Sequence, residues 1–243
     1  MFDMIAFDAD DTLWHNEPLY TDTKEKFQQI LTHYHNEEWI GSRLDDTEIQ
    51  NLDRYGYGIK SFTLSMIETA IELTEGRVTG TEVHQIIGFA WEMLMAPLQI
   101  LDGVPETIAK LAESYPLMVI TKGDLFEQEA KIARSGLGEY FRHIEIVSEK
   151  NQRAYESITA KYKISPHRFL MIGNSLKSDI LPVVAMGGRA IHIPYQTTWF
   201  HEMVSEAELE QKEFMQLERI SLLPQLLAEI NHGGHRGTRG EIA

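Results

Sequence analysis

Cysteine is absent from the 243 residues. That excludes disulfides, thiolate metal sites and cysteine nucleophiles, and it is compatible with a reducing compartment. No apolar run approaches the ~20 residues needed to cross a bilayer. The chain also enters an apolar strand within its first few residues, without the basic, apolar and small-residue segments of a secretory leader, so a cytoplasmic protein is the expectation. Positive charge is scarce too: 22 Lys and Arg stand against 37 Asp and Glu, a formal net charge of −15. Nucleic acids and anionic membranes are bound through dense Lys and Arg contacts, so neither is an expected partner. For a small anionic substrate the same excess means that local cations or a metal must offset repulsion from the surrounding carboxylates. What the chain does have is 43% hydrophobic residues, enough for one α/β domain or for a core carrying an inserted subdomain.

The most informative stretch is Ile5-Ala6-Phe7-Asp8-Ala9-Asp10-Asp11-Thr12-Leu13. An apolar run ending in spaced carboxylates and a Thr reads as a buried strand that delivers acidic side chains to its C-terminal edge, where open α/β sheets place their ligands. Comparable apolar runs recur further on. Leu117 to Ile120 ends in Thr121-Lys122-Gly123-Asp124, a hydroxyl followed by backbone N–H groups in a Gly-containing turn, which is a suitable phosphate cradle. Ile144 to Val147 ends near Ser148-Glu149-Lys150, Phe169 to Ile172 ends in Gly173-Asn174 with Asp179 shortly after, and Arg189 to Ile193 reads as a fifth strand. Helical segments separate them: Glu106 to Ala112, Gln128 to Arg134, Tyr155 to Lys161 and Leu222 to Ile230. Strands alternating with helices point to a parallel, Rossmann-like sheet sandwiched by helices.

From about Glu17 to Pro97 the periodicity is helical throughout. Phe27, Ile30, Leu31 and Tyr34 share a face, as do Phe62, Met66, Ile67 and Leu73, and again Val83, Ile86, Ile87, Ala90, Trp91 and Leu94. These stripes are expected to pack as the core of a bundle, whose third helix begins with a capping box of Thr79 and Glu82. The connection Arg54-Tyr55-Gly56-Tyr57-Gly58-Ile59-Lys60 combines backbone freedom with aromatic and basic side chains; it fits either a substrate-contacting loop or a plain exposed link. The division expected is an α/β core over residues 1–16 and 98–231, an all-helical insert over 17–97, and a loose tail over 232–243.

In its motifs and their order the chain resembles the haloacid dehalogenase-like hydrolases. Asp8 through Thr12 resembles the family's first motif, Asp-x-Asp-x-Thr; Thr121 the second; Lys150, ahead of a helix, the third; and Gly173-Asn174 through Asp179 the fourth. A helical insert between the first two motifs is similar to the family's C1-type cap. The resemblance implies a phosphatase mechanism in which Asp8 attacks a phosphoryl group and Asp10 donates a proton to the leaving oxygen, later activating water. For that role the carboxyl of Asp10 would be pushed up by neighbouring carboxylates. It further implies that Thr121, Lys122 and Lys150 hold the phosphate, and that Mg2+ is bound by Asp8, Asp179, the main-chain carbonyl of Asp10 and Asn174. Asn174 departs from the family's usual carboxylate, and two roles stay open for it: a direct ligand or a support behind the ligands. Asp11 and Asp124 read as turn or cap residues. Trp14, His15, Tyr55, Tyr57 and Lys60, with Trp199 and His201, are the candidates for leaving-group contacts, and a small phosphorylated metabolite is the expected substrate. Two alternatives stand beside this reading: a metal-independent 2-haloacid dehalogenase, which Asn174 favours and Asp10 opposes, and a non-catalytic binding or regulatory protein on the same scaffold.

Overall fold

The computed structural model describes residues 2–197, 199–210 and 212–232. These form two compact units: the described residues of 2–15, 98–122 and 131–232, and residues 16–97 with 123–130. In the first unit, β1 (Met4–Phe7), β2 (Leu117–Lys122), β3 (Phe141–Val147), β4 (Phe169–Gly173), β5 (Arg189–His192) and the short β6 (Met215–Gln216) make one parallel sheet in the order β3-β2-β1-β4-β5-β6. The two-residue β6 went unforeseen because so short a strand leaves no period to read.

β1 and β4 are apolar throughout, and β2 as far as Ile120, because the helices cover both faces of the sheet. Ile5, Phe7, Leu117, Val119, Leu170 and Ile172 fall in one core cluster, while Met4, Ala6, Met118, Ile120, Phe169 and Met171 fall in the other. This is the two-residue alternation of a pleated strand. Truncating a fully buried ring such as Phe7 to Ala would cost about 3–5 kcal/mol. The strand order reverses at β1, which is paired with β2 on one side and β4 on the other. The general ligand position of open α/β sheets therefore falls beyond the C-terminal ends of β1 and β4.

The second unit is built on four helices, α1 (Glu17–Leu31), α2 (Glu37–Tyr55), α3 (Ile59–Leu73) and α4 (Gly80–Met95), with α1 packed on α2 and α4, and α3 on α2 and α4. Only three helical stripes were legible in the sequence. The missed one is α2, whose inward positions Ile40, Leu44, Thr47 and Asn51 have helical spacing but are half polar, so the apolar stripe is too thin to read. The Arg54–Lys60 connection shrinks accordingly, since Tyr55 closes α2 and Ile59 opens α3. In α4 the buried face is Ile86, Ala90 and Met93, whereas Ile87, Trp91 and Leu94, one position round the helix, are exposed, Trp91 by 66%. Those three were expected in the core and are not. The Thr79–Glu82 capping box is present.

The chain continues through α5 (Val104–Ala112), α6 (Leu125–Ser135), α7 (Gln152–Lys161), α8 (Leu181–Ala185), α9 (Glu206–Leu209) and α10 (Leu223–His232). Helix α10 carries His232, which was expected to begin the tail; residues 233–243 lie outside the described residues.

Candidate active site

Four strand ends supply the site. Asp8 follows β1 directly, its N–H donating to the Ile172 carbonyl at 2.9 Å. Thr121, buried, is the penultimate residue of β2; Lys150 lies between β3 and α7; and Asn174 follows β4. The parallel order carries these four to one edge of the sheet, and the chain then folds a single π-type turn, Leu176–Ile180, that holds Asp179. Such turns recur at functional sites because the extra residue redirects side chains. The turn also explains Gly173: a Cβ there would lie 2.2 Å from Asp179 Oδ2, so only glycine leaves room for the carboxylate.

At the centre is Lys150, its side chain 2% exposed, whose ammonium donates to Asp8 Oδ1 and, at 2.8 Å, to Asp179 Oδ1. Asp179 Oδ2 accepts from the Ser175 N–H at 3.0 Å. Thr12 Oγ1 lies 3.1 Å from Asp8 Oδ2 and 3.2 Å from Asn174 Oδ1, and accepts the Asn174 N–H at 3.1 Å. One hydroxyl carries one hydrogen, so it can satisfy only one of those two acceptors at a time. Behind Asn174, His192 Nε2 lies 3.0 Å from its main-chain carbonyl; a carbonyl only accepts, so the ring N–H is on Nε2.

Two carboxylates share one ammonium here. Burial, reinforced by Asp179, pushes the Asp8 carboxyl up from 3.8 to about 7 against the pull of Lys150. Burial works the other way on Lys150, but Asp179 and Asp8 outweigh it and hold the ammonium above its ordinary value. Among the described residues no three His, Asp or Glu side chains gather into a metal cage. The donor set is two carboxylates and one amide oxygen, with one acceptor short of a hydrogen. All are hard oxygens, which suit a hard divalent cation.

The remaining expectations divide. The side chain of Asp10 is held by Lys131 on α6, which donates to both its oxygens at 3.1 Å, and by Trp14, whose Nε1 donates to Oδ1 at 2.6 Å. Trp14 is 1% exposed, which makes it a buried support for Asp10 and not an open leaving-group contact. Lys122, expected on phosphate, has its ammonium on Glu202 and, at 2.9 Å, on Ser178 Oγ. His15 Nδ1 is 2.5 Å from Tyr195 OH, and the Trp199 and His201 rings are 5.0 Å apart. Tyr55, Tyr57 and Lys60 lie in the helical unit, where Lys60 donates to both oxygens of Asp124 at 2.9 and 3.0 Å. Asp124 also accepts the Glu127 N–H, and Asp11 sits at a left-handed φ of 60°, so both act as turn residues. Sequence reasoning missed Lys131, Glu202, Ser175, Ser178 and Tyr155; the last donates to the Ser178 carbonyl at 3.0 Å.

Comparison with known proteins follows the same lines. A family model described as haloacid dehalogenase-like hydrolase matches residues 2–187, more than half of the chain. The chain belongs to this family. A crystal structure of a haloacid dehalogenase-like family hydrolase from Xanthomonas campestris is similar at a TM-score of 0.84 and 37% identity, covering 95% of this chain and 92% of that one. The L-2-haloacid dehalogenase of Xanthobacter autotrophicus shares the fold at a TM-score of 0.66 and 15% identity, over 95% of this chain and 100% of that one. A glyceraldehyde 3-phosphate phosphatase from Pyrococcus furiosus is 29% identical over 137 residues. That match spans 54% of this chain and 54% of the relative, about half of each.

Proposed function

We propose that this hydrolase is a magnesium-dependent phosphatase acting on a small phosphorylated metabolite, with Asp8 as nucleophile. The observation that carries the reading is the pairing of two differently supported carboxylates two residues apart. Asp8 is buried and fixed by Lys150 and Thr12, while Asp10 is gripped by Lys131 and Trp14. One is held for attack and the other for proton transfer, a division of labour between acid pairs. The phosphatase relative from Pyrococcus furiosus supports the same choice.

In the first step an Asp8 oxygen forms a bond to phosphorus as the P–O bond to the leaving group breaks, and protonated Asp10 passes its proton to the departing oxygen. In the second, the Asp10 carboxylate takes a proton from water while that water's oxygen bonds to phosphorus, which releases phosphate and regenerates Asp8. Lys150 balances the charge that develops on the phosphoryl oxygens, and Thr121 holds one of them. Asp8, Asp179, the Asp10 main-chain carbonyl and Asn174 would hold Mg2+, which supplies charge neutralisation at the phosphoryl group. The four-helix unit is read as the cap that selects the leaving group, with Tyr55, Tyr57 and Lys60 its candidate contacts. The absence of cysteine fits a reducing cytoplasm.

The test is phosphate release from a panel of phosphomonoesters with and without Mg2+, where Mg2+-dependent turnover is expected. Halide release from a 2-haloacid without metal would establish the dehalogenase reading instead. Folded protein that turns over neither class would point to a non-catalytic role.

A further inference from the structure

Beyond the motif residues lies a second, partly buried ion cluster. The Glu202 carboxylate, in the short turn Phe200–Glu202 after β5, accepts from Lys122 Nζ, from Ser175 Oγ and, at 2.6 Å, from Ser178 Oγ. Lys122 donates to Ser178 Oγ at 2.9 Å, and the Ser178 N–H donates to Ser175 Oγ at 3.0 Å. The side chains of Lys122 and Glu202 are 17% and 11% exposed. One carboxylate thus joins the end of β2, the turn after β4 and the segment after β5.

The two serines are placed to matter. Both lie between Asn174 and Asp179, and the Ser175 N–H is itself the donor to Asp179 Oδ2. A side chain that fixes Ser175 from behind therefore fixes the amide that aims Asp179. We infer that Glu202 is a positioning residue of the active site: through Ser175 and Ser178 it holds the 174–179 turn so that Asp179 and Asn174 face the cation and Lys150. The inference rests on the reading of those two residues as Mg2+ ligands. It also assigns Lys122 a role as the counter-charge of Glu202. Partners that orient metal ligands from behind are commonly worth 10–100-fold in metal affinity or activity.

The test compares wild type with Glu202→Gln and Glu202→Asp by calorimetric titration of the metal-free proteins with Mg2+, by steady-state kinetics on a phosphomonoester, and by hydrogen exchange of amides 174–180. Glu202→Gln should bind Mg2+ about 10-fold to 100-fold more weakly, lower kcat more than it raises KM, and exchange faster in that segment alone. Glu202→Asp, which keeps the charge, should recover part of each loss. Unchanged Mg2+ affinity and kcat in Glu202→Gln would overturn the inference, as would a loss of thermal stability with kinetics intact. Should Glu202→Gln fail to fold, Ser175→Ala reads the same link, because it removes the hydroxyl and keeps the N–H on Asp179. A wild-type protein that binds no Mg2+ would instead sink the magnesium reading itself.

Discussion

Two ion clusters, one buried and one partly buried, lie at one edge of the sheet, and they are built to opposite ends. At Asp8, Lys150 and Asp179, two carboxylates divide one ammonium, and burial pushes Asp8 up to about 7. At Glu202 and Lys122, one carboxylate meets one ammonium and two hydroxyls. Burial would raise Glu202 too, but Lys122 and the serine hydrogen bonds bring it down to about 2. The first cluster has one ammonium for two carboxylates, the imbalance that the proposed cation would offset. The second is balanced and closed, as expected of a support. An uncompensated buried charge is costly, so it persists where function uses it.

The comparison breaks most sharply at Asp8. Asp8→Asn removes the attacking oxygen's charge and is expected to lower kcat by at least ~10⁴-fold, judging by losses when covalent nucleophiles are removed. The variant should stay folded, because the amide still fits the space. A burst of the leaving alcohol, measured by rapid mixing with substrate in excess, would reveal any residual covalent step, and wild-type rates in this variant would sink the role given to Asp8. Next comes Lys150→Met. Removing the shared cation leaves two buried carboxylates facing each other, a change of about 3–5 kcal/mol in stability by analogy with broken buried pairs. Urea unfolding at neutral pH reads it directly.

The two clusters should also have opposite pH signatures in the metal-free protein. Asp8 is harder to ionise folded than unfolded, so it takes stability away as pH rises from about 4 to about 7. Glu202 is easier to ionise folded, so its contribution is present above 4.5 and is lost as pH falls toward 2. Urea midpoints across pH 2–8 should therefore differ between variants in separate windows. Asp8→Asn should flatten the decline between 4 and 7, and Glu202→Gln the rise between 2 and 4.5. A single shared window for both variants would show that the clusters are not independent. Mg2+ should shift the Asp8 window downward, since a cation favours the ionised carboxylates.

The sequence made the first cluster legible and hid the second, for a physical reason. Each strand of a parallel sheet covered on both faces is an apolar run, so the polar residue that ends it stands out, and Asp8, Thr121 and Asn174 could be read in that way. Lys150 and Asp179 were then found by the order of the family's motifs. Glu202 ends no strand and follows no period; its partner Lys122 is 80 residues away, and nothing short of the fold brings them together. Asp10 shows an intermediate case. Its place two residues after Asp8 was readable, but its grip by Lys131, 121 residues on, was not. Trp14 was a candidate contact only through the family's cap, and a Trp near a strand end is more often packed structure; here its buried indole N–H needs an acceptor and finds one four residues back. In the helical unit the four inward stripes were recovered only where they were apolar, and α2 was lost with its Thr47 and Asn51.

The smallest expected effect calibrates the others. Lys60 and Asp124 form an ion pair as well made as those at the sheet's edge, with both carboxylate oxygens within 3.0 Å of one ammonium. The difference is solvent: the Lys60 side chain is 59% exposed and the Asp124 side chain 27%. Water already solvates the separated charges, and ordering two long side chains offsets much of the attraction, so such pairs are worth about 0.2–1 kcal/mol. Lys60→Met should therefore move the urea midpoint only slightly, and 0.5 M salt should erase most of the difference by screening. Lys150→Met, by contrast, should keep its full effect in the same salt because its partners are buried. If the two variants respond alike to salt, the contrast between exposed and buried pairs fails, and with it the argument that the charge imbalance around Asp8 is held there for a purpose.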